Sequence, residues 1–271
     1  MKNKRVALVT GASSGIGEAS AHKLLAAGYT VYGTSRRGSL TDTHPFPILT
    51  LDVTDDVSVA VAIDELLRRE GQLDVLVNNA GFGVAPAAAE ESSIEQARLI
   101  FDTNFLGIVR LTRAVIPHMR RQGRGRIINI GSILGIVPLP YAALYAASKH
   151  AVEGYSGALD HELRTQGIRV SVIEPAYIKT QFEANNVEPD ARLKEYEDIR
   201  AKLARVVSKA MAEAESPEVV AEVVVKAARA SRPKLRYTAG ILAGKLNFIL
   251  RFMPAKILDK VVRTSLQLDT K

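Results

Sequence analysis

The chain has 271 residues, 47% of them hydrophobic and 24% charged, which suits one globular α/β unit and excludes long disorder. It has no cysteine, and its five histidines form no H-x-x-x-H pair; disulfides, thiolate catalysis, iron–sulfur clusters and Cys-ligated zinc are excluded, and no metal site is expected. The net charge is +7, but all of the excess lies in residues 231–271, where nine basic residues face Asp259 and Asp269.

Lys4–Thr10 is a β-branched apolar run too short for a helix and reads as a buried strand. The loop Gly11–Gly17 follows, then a helix over Glu18–Ala27 closed by Gly28. Thr30–Thr34 and Pro47–Val53 read as the second and third strands. A helix opens at Thr54-Asp-Asp, with acids in its first turn, and runs to Glu70. Leu73–Asn78 is a fourth strand. One long helix is expected over 92–121, kinked or divided by Pro117. Arg126–Gly131 is a fifth strand, Leu144–Gln166 a helix ended by Gly167, and Ile168–Glu174 a sixth strand.

Near-continuously apolar strands that alternate with helices predict a doubly wound parallel sheet covered on both faces. We expect a Rossmann-type unit over 1–238, with a long helical insertion over Gln181–Ser216, a last strand at Leu235–Thr238 and a helical extension over 239–271 divided by Pro254. The charged start leads through one short apolar run into a glycine loop, so neither a signal peptide nor a membrane span is expected, and the cytoplasm is the default location.

The loop Gly11-Ala12-Ser13-Ser14-Gly15-Ile16-Gly17 sits between strand one and helix one. Glycines there let the backbone approach a pyrophosphate, whose charge is met by N–H groups and the helix N-terminus. The spacing is G-x-x-x-G-x-G, and no Lys-Ser/Thr follows, which disfavours ATP hydrolysis. Strand two ends in Thr34-Ser35-Arg36-Arg37, without the acid that would accept from an NAD ribose. Ser35 and Arg36 instead suit a 2′-phosphate, so NADP(H) is expected over NAD(H). Asp52, with Val53 at the end of strand three, is placed to accept from an adenine amino group; an acid opening the next helix is an equally natural reading.

Tyr145 and Lys149 are spaced i, i+4 on a helix and share a face. Ser132 lies just beyond strand five, Asn78-Asn79-Ala80-Gly81 leaves strand four at the same edge, and Asn104 sits mid-helix, an odd place for a poor helix former. In this order the residues resemble the short-chain dehydrogenase/reductase family over roughly 1–180. The carried motifs are Thr10-Gly11-x-x-x-Gly15-Ile16-Gly17, Asn78–Gly81, Asn104, Ser132, Tyr145-x-x-x-Lys149 and the segment Pro175-Ala176-Tyr177-Ile178-Lys179-Thr180. Ala176 stands where the family more often has glycine. Beyond 181 the chain is similar, much more weakly, to steroid- and retinol-active members.

The resemblance implies a Rossmann fold, an NAD(P)(H) cofactor and a catalytic set of Asn104, Ser132, Tyr145 and Lys149. Its cofactor contacts would fall on Gly11, Ser13–Gly17, Ser35, Arg36, Asp52, Val53, Asn79, Ala80, Gly81, Tyr145, Lys149, Pro175, Ile178 and Thr180. The physical account agrees. A ketone that accepts a hydride needs a proton, and a tyrosine of ordinary pKa about 10 can donate it if a nearby ammonium stabilises the phenolate. Ser132 can polarise the substrate oxygen, and Asn104 can hold a water that links Lys149 to solvent.

The expected protein is an NADP(H)-dependent reductase or dehydrogenase of a bulky, apolar ketone or alcohol, in a homodimer or homotetramer. A 3-oxoacyl thioester reductase and a non-catalytic NADP(H)-binding regulator are the alternatives. No nucleic-acid partner is expected, because no aromatic residues interleave with the charge. In the tail, Leu242, Leu246, Ile249 and Met253 form a helical stripe. Ile241, Phe248 and Phe252 widen it, and Ile257, Leu258, Val261, Val262 and Leu266 continue it, among Lys245, Arg251, Lys256, Lys260 and Arg263. A membrane interface, a cover over the substrate entrance and a subunit contact all fit this pattern.

Overall fold

Strand segments that are apolar on both sides have to be covered on both sides, and this chain does so with helices. The computed structural model describes residues 4–38, 44–182, 186–266 and 268. In chain order the first half comprises β1 (Val6–Val9), α1 (Gly15–Ala26), β2 (Thr30–Ser35), β3 (Ile48–Thr50), α2 (Asp56–Glu70), β4 (Val75–Asn78), α3 (Ile94–Phe101), α4 (Gly107–Gln122) and β5 (Gly125–Ile130). The second half adds α5 (Ala143–Leu163), β6 (Ile168–Pro175), α6 (Glu197–Ala212), α7 (Pro217–Arg229), β7 (Arg236–Ala239), α8 (Ile241–Phe252) and α9 (Ala255–Ser265). The seven strands form one parallel sheet in the order β3-β2-β1-β4-β5-β6-β7.

Each strand sends alternate side chains to opposite faces. Leu8, Leu76 and Ile127 pack with Leu66, Leu111 and Leu159 of α2, α4 and α5. Val9, Val77 and Ile128 pack with Leu24, Val220 and Val224 of α1 and α7. The doubly wound single domain is therefore as expected. The direction of winding reverses between β1 and β4, and the crevice at their carboxyl ends is where such sheets bind ligands.

Beyond a third strand that covers only Ile48–Thr50 of the expected Pro47–Val53, three boundaries differ from the sequence reading. Helix α1 starts at Gly15, inside the glycine loop, so Gly15–Gly17 form its first turn and point their N–H groups out of the helix end. The expected single helix over 92–121 is α3 and α4 joined by a π turn, Asp102–Leu106. Gly107 N there donates to Asp102 O, five residues back. Pro117 lies within α4 and does not divide it.

The third difference is the insertion. Helix α6 begins only at Glu197, after a 3-10 turn at Lys194–Tyr196; residues 183–185 lie outside the described set. The stretch from Asn186 spends its backbone groups on distant partners. Val187 N donates to Gly83 O (3.0 Å), Ala85 N donates to Val187 O (2.9 Å), and Ala191 N donates to Glu91 O (2.9 Å). Glu91 is fully buried, accepts from Leu193 N at 2.9 Å and pairs with Arg200. Met253 and Pro254 separate α8 from α9 where Pro254 was expected to divide the tail.

Candidate active site

The turn between β1 and α1 is built to bring backbone close to whatever binds there. Gly11 has φ 64°, open to glycine at little cost. A Cβ on Gly17 would lie 2.2 Å from Gly11 O and 2.5 Å from Asn79 Nδ2, so a larger residue would force the turn apart. Ser14 occupies the N-cap of α1 without a side-chain cap bond, which leaves the first-turn N–H groups to an anion. Ser13 is exposed, Ser14 and Ile16 are half-buried, and Thr180 lies 3.2 Å from where a Gly15 Cβ would stand.

Asn79 faces this turn but braces it. Its Nδ2 donates to Thr10 O (2.9 Å) and Gly11 O (3.2 Å), while Asn79 N and Ala80 N donate to Thr10 Oγ1 at 2.9 and 3.0 Å. An open cleft of about 1060 Å³ runs from Ser14, Gly15 and Thr180 along α1 to Pro217. Its lining includes neither Tyr145 nor Ser132. Two of its lining residues, Glu18 and His22, have ligand atoms within 4.8 Å of each other and of His44, whose Nδ1 lies 3.6 Å from Glu18 Oε1; both imidazoles also pack on Phe46.

At the end of β2, Arg36 is exposed and Ser35 half-buried, with Ser35 Oγ donating to Gly38 O at 2.8 Å. Asp52 follows β3 beside them. Burial pushes its carboxyl up, but hydrogen bonds from Thr54 N (2.9 Å) and Oγ1 (2.7 Å), together with the charges of Arg36 and Arg110, outweigh that and hold it below its ordinary value. Asp52 is thus a charged acceptor whose Oδ1 already accepts twice from Thr54, and Val53 beside it is buried.

The i, i+4 pair lies where its spacing places it. Lys149 is buried, its Nζ is 5.6 Å from the centroid of the half-buried Tyr145 ring, and Nζ donates to Ile130 O at 2.9 Å. Burial lowers the lysine pKa to about 8, opposed by the Glu153 carboxylate one turn further along α5. Ser132 is buried at the start of the turn after β5, and its Oγ accepts from Leu134 N at 3.1 Å. This turn reaches α5 because residue 135 is glycine: a Cβ there would lie 3.0 Å from Lys149 O.

Asn104 is buried in the π turn, and the wider turn aims it inward. Its Oδ1 accepts from Phe82 N (3.0 Å), and its Nδ2 donates to Phe82 O (2.9 Å) and Ser148 Oγ (3.2 Å). Asn104 therefore ties the loop after Gly81 to α5, and its carboxamide is not directed at Lys149. Beneath the site, Asn78 Nδ2 donates to Asn129 Oδ1, and Asn129 Nδ2 to Ser156 Oγ, both at 2.8 Å, so a buried polar ladder joins β4, β5 and α5.

Two features went unseen in the sequence. Buried Glu153 and Glu174, from α5 and β6, share Arg236 of β7, whose Nε lies 2.8 Å from Glu153 Oε2 and 3.6 Å from Glu174 Oε1. Burial and the neighbouring Glu153 charge raise the Glu174 carboxyl to about 7. The second is an aromatic and alanine-rich lining beside Tyr145. Phe182 packs edge-on against Tyr145 with ring centroids 5.7 Å apart. Beyond them a cavity of only about 20 Å³ is lined by Val84, Ala87, Ala88, Tyr141 and Leu144. Tyr141 holds φ 63°, costly for a residue with a Cβ. Its carbonyl accepts from Ala87 N, and its ring meets Tyr196. Proximity of i, i+4 pairs is legible in a sequence; these contacts, about 20 to 80 residues apart, leave no periodic trace.

Pro175 closes β6, Ile178 is buried, and Lys179 N donates to Glu215 O at 2.8 Å, which places the 175–180 segment across the crevice from the glycine turn. A family model described as short chain dehydrogenase matches residues 5–191. The 3-ketodihydrosphingosine reductase of Bacteroides thetaiotaomicron is 37% identical over 240 residues, 88% of each chain. A short-chain dehydrogenase from Streptomyces avermitilis has a similar structure, with TM-score 0.82 at 30% identity over the whole of both chains. A 3-ketoacyl-(acyl-carrier-protein) reductase from Brucella melitensis, solved with NADH, matches with TM-score 0.72 at 26% identity, over 86% of this chain and 96% of that one.

Proposed function

The chain belongs to the short-chain dehydrogenase family, and on that premise we propose that it transfers a hydride between NADP(H) and a bulky, apolar ketone or secondary alcohol. The observation that carries the reading is a half-buried tyrosine beside a buried lysine at the ligand-binding edge of the sheet. The turn at Gly11 and Ser13–Gly17 fits a pyrophosphate, since its Cβ-free positions and uncapped helix end leave room and donors for one. Ser35 and Arg36 would take the 2′-phosphate, Asp52 and Val53 the adenine, and Asn79–Gly81, Pro175, Ile178 and Thr180 the remaining length. When bound, the nicotinamide supplies or accepts the hydride.

In the reductive direction Tyr145 gives a proton to the substrate oxygen, and the Lys149 ammonium lowers the cost of the phenolate left behind. Ser132 orients and polarises the same oxygen. Asn104 fixes the Phe82 loop against α5; a water relay at this residue would have to use its backbone carbonyl. Phe182 must leave Tyr145 for substrate to enter, and the alanine- and valine-lined cavity behind it favours alkyl groups.

A long-chain ketone is the substrate class this fits, in line with the name of the Bacteroides relative. A 3-oxoacyl thioester is the second reading, favoured by the Brucella neighbour. The test is steady-state NADPH oxidation with ketones of increasing chain length, free and as thioesters. Burial of a methylene is worth about 0.8 kcal/mol, so four added methylenes should raise kcat/KM on the order of 100-fold. A flat response to length would remove the apolar assignment, and no turnover at all would favour a cofactor-binding regulator.

The Glu153 carboxylate opposes the burial that lowers the Lys149 pKa, so Glu153→Gln should lower that pKa further. The ammonium is present below its pKa and is lost as pH rises through it. The alkaline fall of reductive kcat/KM, expected near pH 8, should therefore shift down by roughly one unit. Superimposable pH profiles would show that Lys149 titration does not govern the rate.

A further inference from the structure

Helix α8 is mounted with its apolar side outward. Ile241, Leu242, Phe248 and Ile249 are exposed, at 71%, 44%, 71% and 42%. With Lys245 in their midst they fall on one side of the helix by the 3.6-residue period. The opposite side, which carries Ala243 and Asn247, faces the body. The mounting is held by specific bonds: Ile241 N donates to Glu215 Oε2 at 2.9 Å, and Asn247 Nδ2 to Glu174 Oε2 at 3.4 Å.

Helix α9 continues the surface. Ile257 and Val261 are exposed at 51% and 46%, Leu258 and Val262 are half-buried beside them, and Lys256, Lys260 and Arg263 are exposed along the other side. The side chains of Arg251 and Phe252, part of the sequence stripe, lie outside the described residues. Soluble surface helices normally turn such residues inward, and exposed apolar area of this kind marks a docking site.

We propose that the outer face of α8 and α9 docks on an anionic lipid bilayer interface. Charge chooses this occupant. The chain up to 230 is electrically balanced, whereas α8 and α9 carry Lys245, Arg251, Lys256, Lys260 and Arg263 against Asp259, a net of four positive charges. Large apolar residues flanked by lysines suit an acyl boundary beneath anionic headgroups. A second copy of the chain would bring the same basic charges against themselves. No helix among the described residues is long and apolar enough to cross a membrane, so the contact is peripheral. The docking surface does not depend on the proposed chemistry.

The experiment is flotation of the full chain with vesicles of phosphatidylcholine, with and without phosphatidylglycerol. Binding should require the anionic lipid. Each basic group near such a surface is worth roughly fivefold, so Lys245, Lys256 and Lys260 together should make binding about 100-fold weaker at high salt. Phe248→Asp with Ile257→Asp, and separately Lys245→Glu with Lys256→Glu and Lys260→Glu, should each abolish flotation without changing the melting temperature, since all five positions are exposed. The proposal is overturned if the folded full chain does not float, or if it floats equally on pure phosphatidylcholine. It is overturned too if the Phe248→Asp, Ile257→Asp variant splits an oligomer in solution while flotation persists.

Discussion

Tyr145→Phe should stop turnover while NADPH stays bound. The ring that packs against Phe182 and above Lys149 is kept, and only the acidic proton is lost. Proton donation of this kind is worth about 10²–10⁴-fold, so kcat should fall by at least that much. The cofactor dissociation constant, read from the quenching or shift of NADPH fluorescence, should change by less than about threefold, because no charge is removed. A variant that turns over at near the parent rate would take Tyr145 out of the chemistry and move the search for an acid to another group at this edge.

Cofactor preference should rest on Arg36. Ser35 already spends its hydroxyl hydrogen on Gly38 O, which leaves the exposed guanidinium as the main donor for a 2′-phosphate. A charge-assisted hydrogen bond contributes about 1.5–3 kcal/mol, so kcat/KM should favour NADPH over NADH by about 10–150-fold. Arg36→Asp should erase or invert that ratio, since it sets a second carboxylate beside Asp52, repels the phosphate and offers an acceptor to a ribose hydroxyl. Equal use of both cofactors by the parent protein would remove the assignment.

What could be read from the sequence follows from what leaves a local trace. The strands were legible because both faces are buried: Val6–Val9 is an unbroken apolar run, Val75–Val77 is apolar up to Asn78, and β6 keeps Ile168, Val170, Val172 and Ile173 between its few polar residues. The Tyr145 and Lys149 pair was legible because a helix brings i and i+4 together. The π turn was not: one extra residue between α3 and α4 changes the hydrogen-bond ring without changing composition, and the only hint was a poor helix former at 104. The start of the 181–216 insertion was over-read as helix because Leu193 and Tyr196 have helical spacing from Ile199 and Leu203, whereas α6 begins only at Glu197. In the fold, Val187–Leu193 gives its backbone bonds to Gly83 and Glu91 instead. The Glu153, Glu174 and Arg236 cluster draws on three elements, and its members are up to 83 residues apart.

The Asn78–Asn129–Ser156 ladder also acts as an alignment key during assembly. Valine and isoleucine on β4 and β5 would pack nearly as well if one strand slid along the other, because neighbouring apolar side chains are interchangeable. Amides are not. A one-residue slip would turn Asn78 to the opposite face, leaving its carboxamide among hydrocarbon and Asn129 Oδ1 without its donor. Each unsatisfied buried amide costs about 1–3 kcal/mol, a large share of a folded domain's total margin of about 5–15 kcal/mol. Misaligned sheets are thereby penalised before any substrate is met, and a chain that has folded at all has already set the Tyr145 helix at the correct height above the crevice.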